Sequence, residues 1–126
     1  MGLDAAEVCE ALSSLPPEAR RRIVGLVLEH GYAVKDVAEI MSVSPSAVSR
    51  YIHGSLAPSP TAICRLVLGV DEETRRRILV EAARTLWRLV EALINSASGS
   101  EDAYTVLESI ADDVARLLDE YSARSV

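Results

Sequence analysis

The chain is 126 residues long and carries a formal net charge of −6. Its length permits one domain, or one small domain with an appended helical element, and argues against an enzyme with a large cavity. Its acidity argues against a general nucleic-acid coat or a basic membrane-surface protein, and two cysteines, Cys9 and Cys64, are too few and too far apart for a disulfide framework or a zinc site.

The charge is unevenly spread. Between Ser14 and Leu66, Arg20, Arg21, Arg22, Lys35, Arg50 and Arg65 stand against Glu18, Glu29, Asp36 and Glu39, a net of +2, whereas residues 1–13 carry −3 and residues 67–126 carry −5. Two reduced core thiols are the expectation for Cys9 and Cys64; a single bridge stays open if the source is a hyperthermophile, where internal disulfides occur. Only Lys35 among the 13 basic residues is lysine, glutamine is absent and Asn95 is the sole asparagine. Scarce amides are compatible with a hot-living source, and an arginine preference also follows from genome composition.

The opening MGLDAAEV carries acids and no long apolar run, unlike a signal peptide, and Ala6 stands where a myristoylation motif needs serine or threonine. Residues 3–13 read as a short helix with Leu3, Val8, Cys9 and Leu12 as its apolar members, broken by Leu15-Pro16-Pro17. From Pro17 to His30, Ile23, Val24, Leu26, Val27 and Leu28 make a thick apolar face; Gly31 closes the helix, and His30 in the last turn suits the helix dipole. Arg20 to Arg22 read as a solvated face.

Val34 to Gly54 reads as two short helices joined by a tight turn. Val37, Met41, Val48 and Ile52 are apolar at helical spacings, Ala38 is small where the helices cross, and Val43 sits in the turn. Ser44-Pro45 is a strong start signal, because the hydroxyl caps orphan amides and proline needs no amide at the first helical position. Gly54 supplies the stop. Ser55 to Pro58 is a loop, and Ser59-Pro60 repeats the start signal for a helix with Ile63, Leu66, Val67 and Leu68 on its buried side, joined by Cys64 and ended by Gly69.

Asp71, Glu72 and Glu73 open a long helix to about Asn95, where first-turn acids are stabilised by the amide dipole. It is apolar on more than one side and must be covered from two directions, while Arg75 to Arg77 form a solvated face. Glu81, Arg84, Arg88 and Glu91 interrupt its apolar run, so it cannot span a membrane. Ser96 to Ser100 is a small-residue turn, with Ser98 and Glu101 spaced as a capping box. In the last helix, Glu101 to Ala123, the residues Ala103, Leu107, Ile110, Val114, Leu117 and Tyr121 form a heptad stripe. One such hairpin leaves much of this surface wet. Either it folds back on the amino-terminal helices or, the preferred reading, two hairpins pair into a bundle.

The stretch GYAVKDVAEIMSVSPSAVSRYIHGSLAPSPTAICRLVLGV, Gly31 to Val70, resembles the lambda-repressor-like, or Cro and XRE, family of DNA-binding domains. The likeness rests on a glycine before the first motif helix, alanine inside it and a V-S pair in the turn. The serine- and arginine-containing second helix, Gly54, Pro58-Ser59 and Leu68-Gly69-Val70 fall in register as well. Partition proteins related to ParB share the shorter motif. The resemblance implies that the helix from Pro45 to His53 lies in the major groove with Pro45, Ser46, Ser49 and Arg50 toward base edges. Arg50 would donate two bonds to guanine, worth about 1–3 kcal/mol of discrimination, and Pro45 would touch a thymine methyl. Lys35, Ser44 and His53, with amides at the start of the first motif helix, would contact phosphates. The sequence departs from the family where Ala33 and Val34 replace a capping hydroxyl and a phosphate-contacting glutamine. Ser42 replaces the turn glycine, where a left-handed backbone costs serine roughly 1 kcal/mol.

The expectation is an all-α chain: a lambda-repressor-like helix-turn-helix domain over residues 1–70, followed by a carboxy-terminal two-helix hairpin over residues 71–126. Leu86, Leu89, Leu93, Leu107, Ile110, Val114, Leu117 and Tyr121 would make a dimer interface. The expected function is a cytoplasmic, sequence-specific regulator binding double-stranded DNA as a homodimer on a dyad-symmetric site. The competing readings are a protein–protein interaction module on the same fold and a nucleoid or partition protein of low sequence specificity. No phosphate loop, metal-ligand cluster or catalytic arrangement stands out, so neither an enzyme, a cofactor, a metal nor a membrane partner is expected.

Overall fold

A computed structural model describes residues 4–97 and 99–124. These form seven α-helices with no strand among the described residues: α1 (Ala5–Ser13), α2 (Pro17–Glu29), α3 (Val34–Met41), α4 (Pro45–His53), α5 (Pro60–Gly69), α6 (Glu72–Ser96) and α7 (Glu101–Arg124). The chain is therefore all-α, and its helix boundaries follow local chemistry. Asp4 accepts from the Ala6 and Glu7 amides at 3.0 and 3.3 Å, and Ser59 accepts from Ala62 at 3.1 Å. At α7 the cap is Ser100, whose Oγ accepts from the Ala103 amide at 3.1 Å; the expected cap Ser98 lies outside the described residues.

The chain divides into two compact units, residues 1–86 and 87–126. The division falls inside α6 rather than near residue 70, because Thr74, Ile78 and Ala82, one buried stripe at i, i+4, i+8, belong with the first unit. That unit's core is built from Ile23, Val24, Leu26 and Val27 of α2, Val37, Ala38 and Met41 of α3, Val48 and Tyr51 of α4, and Ala62, Ile63, Leu66 and Val67 of α5. In α4 the structure corrects the apolar pattern: Tyr51 takes the buried place and Ile52 is 49% exposed.

Helix α5 sits centrally and packs on α1, α2 and α3. Its end shows why Gly69 is there. The backbone is ordinary, but a Cβ would overlap Ile40 Cγ2 of α3, so glycine serves close approach rather than a left-handed stop. Against α1 the contact is covalent. Cys9 and Cys64 form a disulfide with a Cα–Cα distance of 5.2 Å, which overturns the expectation of two reduced thiols. Side-by-side packing of α1 and α5 brings together cysteines 55 positions apart. On the chain-entropy model, closing a loop of that size restrains the unfolded state by about 4 kcal/mol.

Two arginines expected on solvated faces instead tie carbonyls. Arg20 Nε donates to Pro58 O and Nη1 to Leu15 O, each at 2.7 Å. Arg75 Nε donates to Val67 O at 2.9 Å, and its Nη2 donates to Leu68 O and Val70 O at 3.2 and 2.9 Å. For Arg75 the reason is general: the last carbonyls of a helix, here α5, lack intrahelical partners and need donors from elsewhere, whereas Arg20 ties carbonyls of the segments that follow α1 and precede α5. Arg77 pairs with exposed Glu73, and Arg22 with Glu29, in surface pairs of little net worth.

The start of α6 is fastened to the segment before α3. Tyr32 Oη donates to Asp71 Oδ1 at 2.5 Å and accepts from the Asp71 amide at 3.0 Å, while Asp71 Oδ2 caps the Thr74 amide at 3.0 Å. The Tyr32 hydroxyl first, then the Thr74 hydroxyl and amide, hold the Asp71 carboxyl well below the usual carboxylate range.

The second unit, the end of α6 with α7, has no fully buried side chain among its described residues; Val90, Ile94, Ala103 and Ile110 are half-buried. The expected two-sided cover of α6 is therefore absent in its second half.

Two tests follow from this packing. Gly69→Ala should cost about 1–3 kcal/mol in urea unfolding, as overpacking does, and less in an Ile40→Ala background; an unchanged midpoint would refute the close approach. Because the Asp71 pKa is lowered on folding, its contribution is present above about pH 4 and lost as pH falls below. Tyr32→Phe should move the Asp71 midpoint up toward the ordinary value in a carboxyl NMR titration, and an unmoved midpoint would show that Tyr32 is not the main cause.

Candidate nucleic-acid interface

Helix α4 owes its shape to the residues at its ends. Ser44 is extended (φ −76°, ψ 153°), its Oγ accepts from the Ala47 amide at 3.1 Å, and Pro45 follows in the first turn. Gly54 closes the helix with φ 84°, and the Gly54 and Ser55 amides return to Tyr51 O and Arg50 O. The turn from α3 is equally defined. Ser42 is left-handed (φ 58°, ψ 45°), as its place in the turn requires, and the Val43 amide reaches back to Ala38 O at 3.0 Å while its side chain packs on the core. This six-to-one bond is the Schellman closure.

Only Val48 and Tyr51 of α4 are buried. The remaining residues follow from helical geometry: Pro45, Ser46, Arg50 and His53 are exposed and Ser49 is half-buried. Ser44 and Lys35 are exposed as well. The seven expected site residues thus divide between α4 with its cap and the first turn of α3. Among the described residues, no hydrogen bond or ion pair engages the side chains of Arg50, Lys35, Ser46 or Ser49. Ser44 spends its oxygen on the cap and keeps its hydroxyl proton. His53 Nδ1–H donates to Ser49 O at 2.7 Å, the carbonyl being unable to donate. At α3 no side chain caps the amides, since Ala33 has nothing to offer.

One neighbour has no sequence signal. Arg21 of α2 lays its guanidinium over Gly54, with Nη2 3.3 Å from where a Cβ would stand, and its Nη1 pairs with Glu18 at 2.7 Å. Its Nε is buried without a partner. The contact joins residues far apart in the chain, so neither spacing nor periodicity exposes it. It braces the end of α4, where Gly54 supplies the positive φ that the closing turn takes.

A second surface lies wholly in residues 87–126. Of the expected interface residues, Leu86, at the end of the first unit, and Ile110 are half-buried, while Leu89, Leu93, Leu107, Val114, Leu117 and Tyr121 are exposed. Trp87, Tyr104, Val106 and Leu118 are exposed too, the last at 62%. The signal for Tyr104 and Leu118 was present: they flank the heptad stripe and widen it toward the face of a bundle helix. From ordinary side-chain areas, the ten large apolar residues exposed in this unit present together roughly 1,000 Å². Trp87 and Leu89, like Tyr104 and Val106, are two positions apart on a helix, so this area is a sum over more than one face; a standard interface takes about 800 Å² per partner.

No helix among the described residues is long and apolar enough to cross a membrane, and no group of three His, Cys, Asp or Glu side chains gathers there as a metal site. No protein-family model, curated protein or solved structure matches the chain.

The backbone and the exposed face separate in stability measurements. Ser42→Gly should stabilise by up to about 1 kcal/mol by relieving the left-handed serine, whereas Arg50→Ala should change unfolding by less than about 0.5 kcal/mol. A large loss for Arg50→Ala would mean that its side chain is structural.

Proposed function

We propose that the chain is a sequence-specific, double-stranded DNA-binding transcriptional regulator, with α3 and α4 as a lambda-repressor-like helix-turn-helix. The observation that carries the reading is α4 itself. A nine-residue helix opens at Ser44-Pro45, puts Val48 and Tyr51 inside and leaves Pro45, Ser46 and Arg50 outward, their side chains in no hydrogen bond or ion pair among the described residues. A planar guanidinium free of acidic neighbours is suited to the paired acceptors of guanine. Lys35, Ser44, His53 and the uncapped amides of α3 are suited to phosphates, which fix register.

Two or three base contacts make a weak site, so the reading includes a homodimer formed through residues 86–121. The apolar surface of the second unit supports it. Two copies joined there would address half-sites about one DNA turn, 34 Å, apart. A specific observation also favours a second reading, a protein-interaction module: the same apolar surface on a chain of net charge −6.

Selection from a random duplex pool separates these readings. The regulator should enrich a dyad-symmetric sequence, bind it as a dimer in sedimentation equilibrium, and lose log affinity linearly with log salt. Arg50→Ala should cost about 1–3 kcal/mol at one base position. Undiminished binding by Arg50→Ala, or an asymmetric footprint from a dimer, would contradict the mechanism. An empty selection would favour the protein-interaction reading, and affinity indifferent to sequence a nucleoid or partition role.

A further inference from the structure

Helix α1 lies along α5 in the most extensive helix–helix contact among the described residues, but it puts little of its own surface into the core. Of the buried core side chains only Leu12 belongs to it, with Val8 half-buried against the core. Its side-chain hydrogen bonds, from the Asp4 cap and from Ser13, stay within the helix, and no ion pair joins it to another element among the described residues. A helix of nine residues is too short to persist alone in water. The one covalent tie of α1 is the Cys9–Cys64 bond to α5. Both cysteines are only half-buried, and they line an open cleft bordered by Ser13, Thr61 and Arg65.

We propose that this disulfide is a reducible latch, so that a dithiol reductant entering the cleft frees α1 while the helices carrying α4 stay folded. A thiolate of the reductant attacks Cys9 Sγ, and the Cys9–Cys64 bond breaks. Cys64 leaves as a thiolate and then takes a proton from water. The second thiol of the reductant displaces Cys9 from the mixed disulfide. Two cysteine thiols and one oxidised dithiol result, and the two electrons come from the dithiol. Without the bond, noncovalent packing on α5, with Leu12 and Val8 as its apolar members, must offset the chain entropy of ordering α1. The rest of the core, from Ile23 to Ile78, loses the cover that α1 gave α5 and the restraint that the bond placed on the unfolded chain. The latch does not depend on what α4 binds.

Hydrogen exchange of the full chain with and without dithiothreitol tests it, beside Cys9→Ser and the Cys9→Ser/Cys64→Ser double variant. On reduction, amides of residues 5–13 should exchange at least tenfold faster and approach unfolded-chain rates, while those of residues 45–53, speeded only as far as the lost loop closure allows, stay at least tenfold slower than unfolded-chain rates. Both variants should match the reduced protein and ignore the reductant, and reoxidation should restore protection. Unchanged protection of residues 5–13 after verified reduction would overturn the latch, because α1 would then be held without the bond. Uniform loss of protection across residues 5–82 would also overturn it, making the bond a requirement of the whole fold. So would a bond that resists dithiothreitol in the folded protein.

Discussion

A short amphipathic helix held by two side chains dominates the first unit. Val48 and Tyr51 are the side chains that α4 buries in the core, with Ala47 packed beside them, so its orientation is set by what they meet on α2 and α3, and Pro45, Ser46, Arg50 and His53 face outward. The ends make that orientation firm. Ser42 accepts a left-handed backbone, Ser44 caps the first turn, and Gly54 allows the reversal beneath the guanidinium of Arg21. Around this helix the other elements are fastened by ties that suit an arginine-rich chain: Arg20 holds the loop carbonyl of Pro58, and Arg75 satisfies carbonyls that the end of α5 leaves open. Tyr32 and Asp71 lock the start of α6 to the approach of α3.

The two units differ in how complete they are. Residues 1–86 contain a core with many side chains wholly removed from water, whereas residues 87–126 contain none among those described. The stripe Thr74, Ile78 and Ala82 that α6 buries in the first unit continues along the same helix as Leu89 and Leu93, which are bare. An apolar surface of that size on an otherwise acidic segment is the physical reason for placing a second copy there in the proposed function. It also explains why single-chain patterning called for cover that one chain does not supply.

Much of the fold was legible in the sequence because its signals are local. Ser44-Pro45, Ser59-Pro60, Gly31 and Gly54 act within a turn of where they stand, so helix order and most boundaries followed from them. The departures are contacts between distant residues. Cys9 and Cys64 are joined only because α1 and α5 lie side by side. Gly69 looked like a helix stop and is a point of close approach to Ile40. Tyr51 and Ile52 are adjacent on α4, and periodicity alone could not say which turns inward; the packing on α2 and α3 decides it. Within the candidate site, exposure of Pro45, Ser46, Arg50 and His53 was legible from the face they share, while Arg21 was not, since it arrives from another helix.

The claim on which the functional account rests is that α4 and the first turn of α3 meet DNA. The most direct measurement is an amide-shift titration of the nitrogen-labelled chain with a short mixed-sequence duplex at low salt. The account predicts that the largest shifts fall at residues 44–50, at His53 and at residues 34–36, with residues 87–124 unmoved. Shifts confined to residues 87–124, or no shift in α4 at saturating duplex, would contradict it.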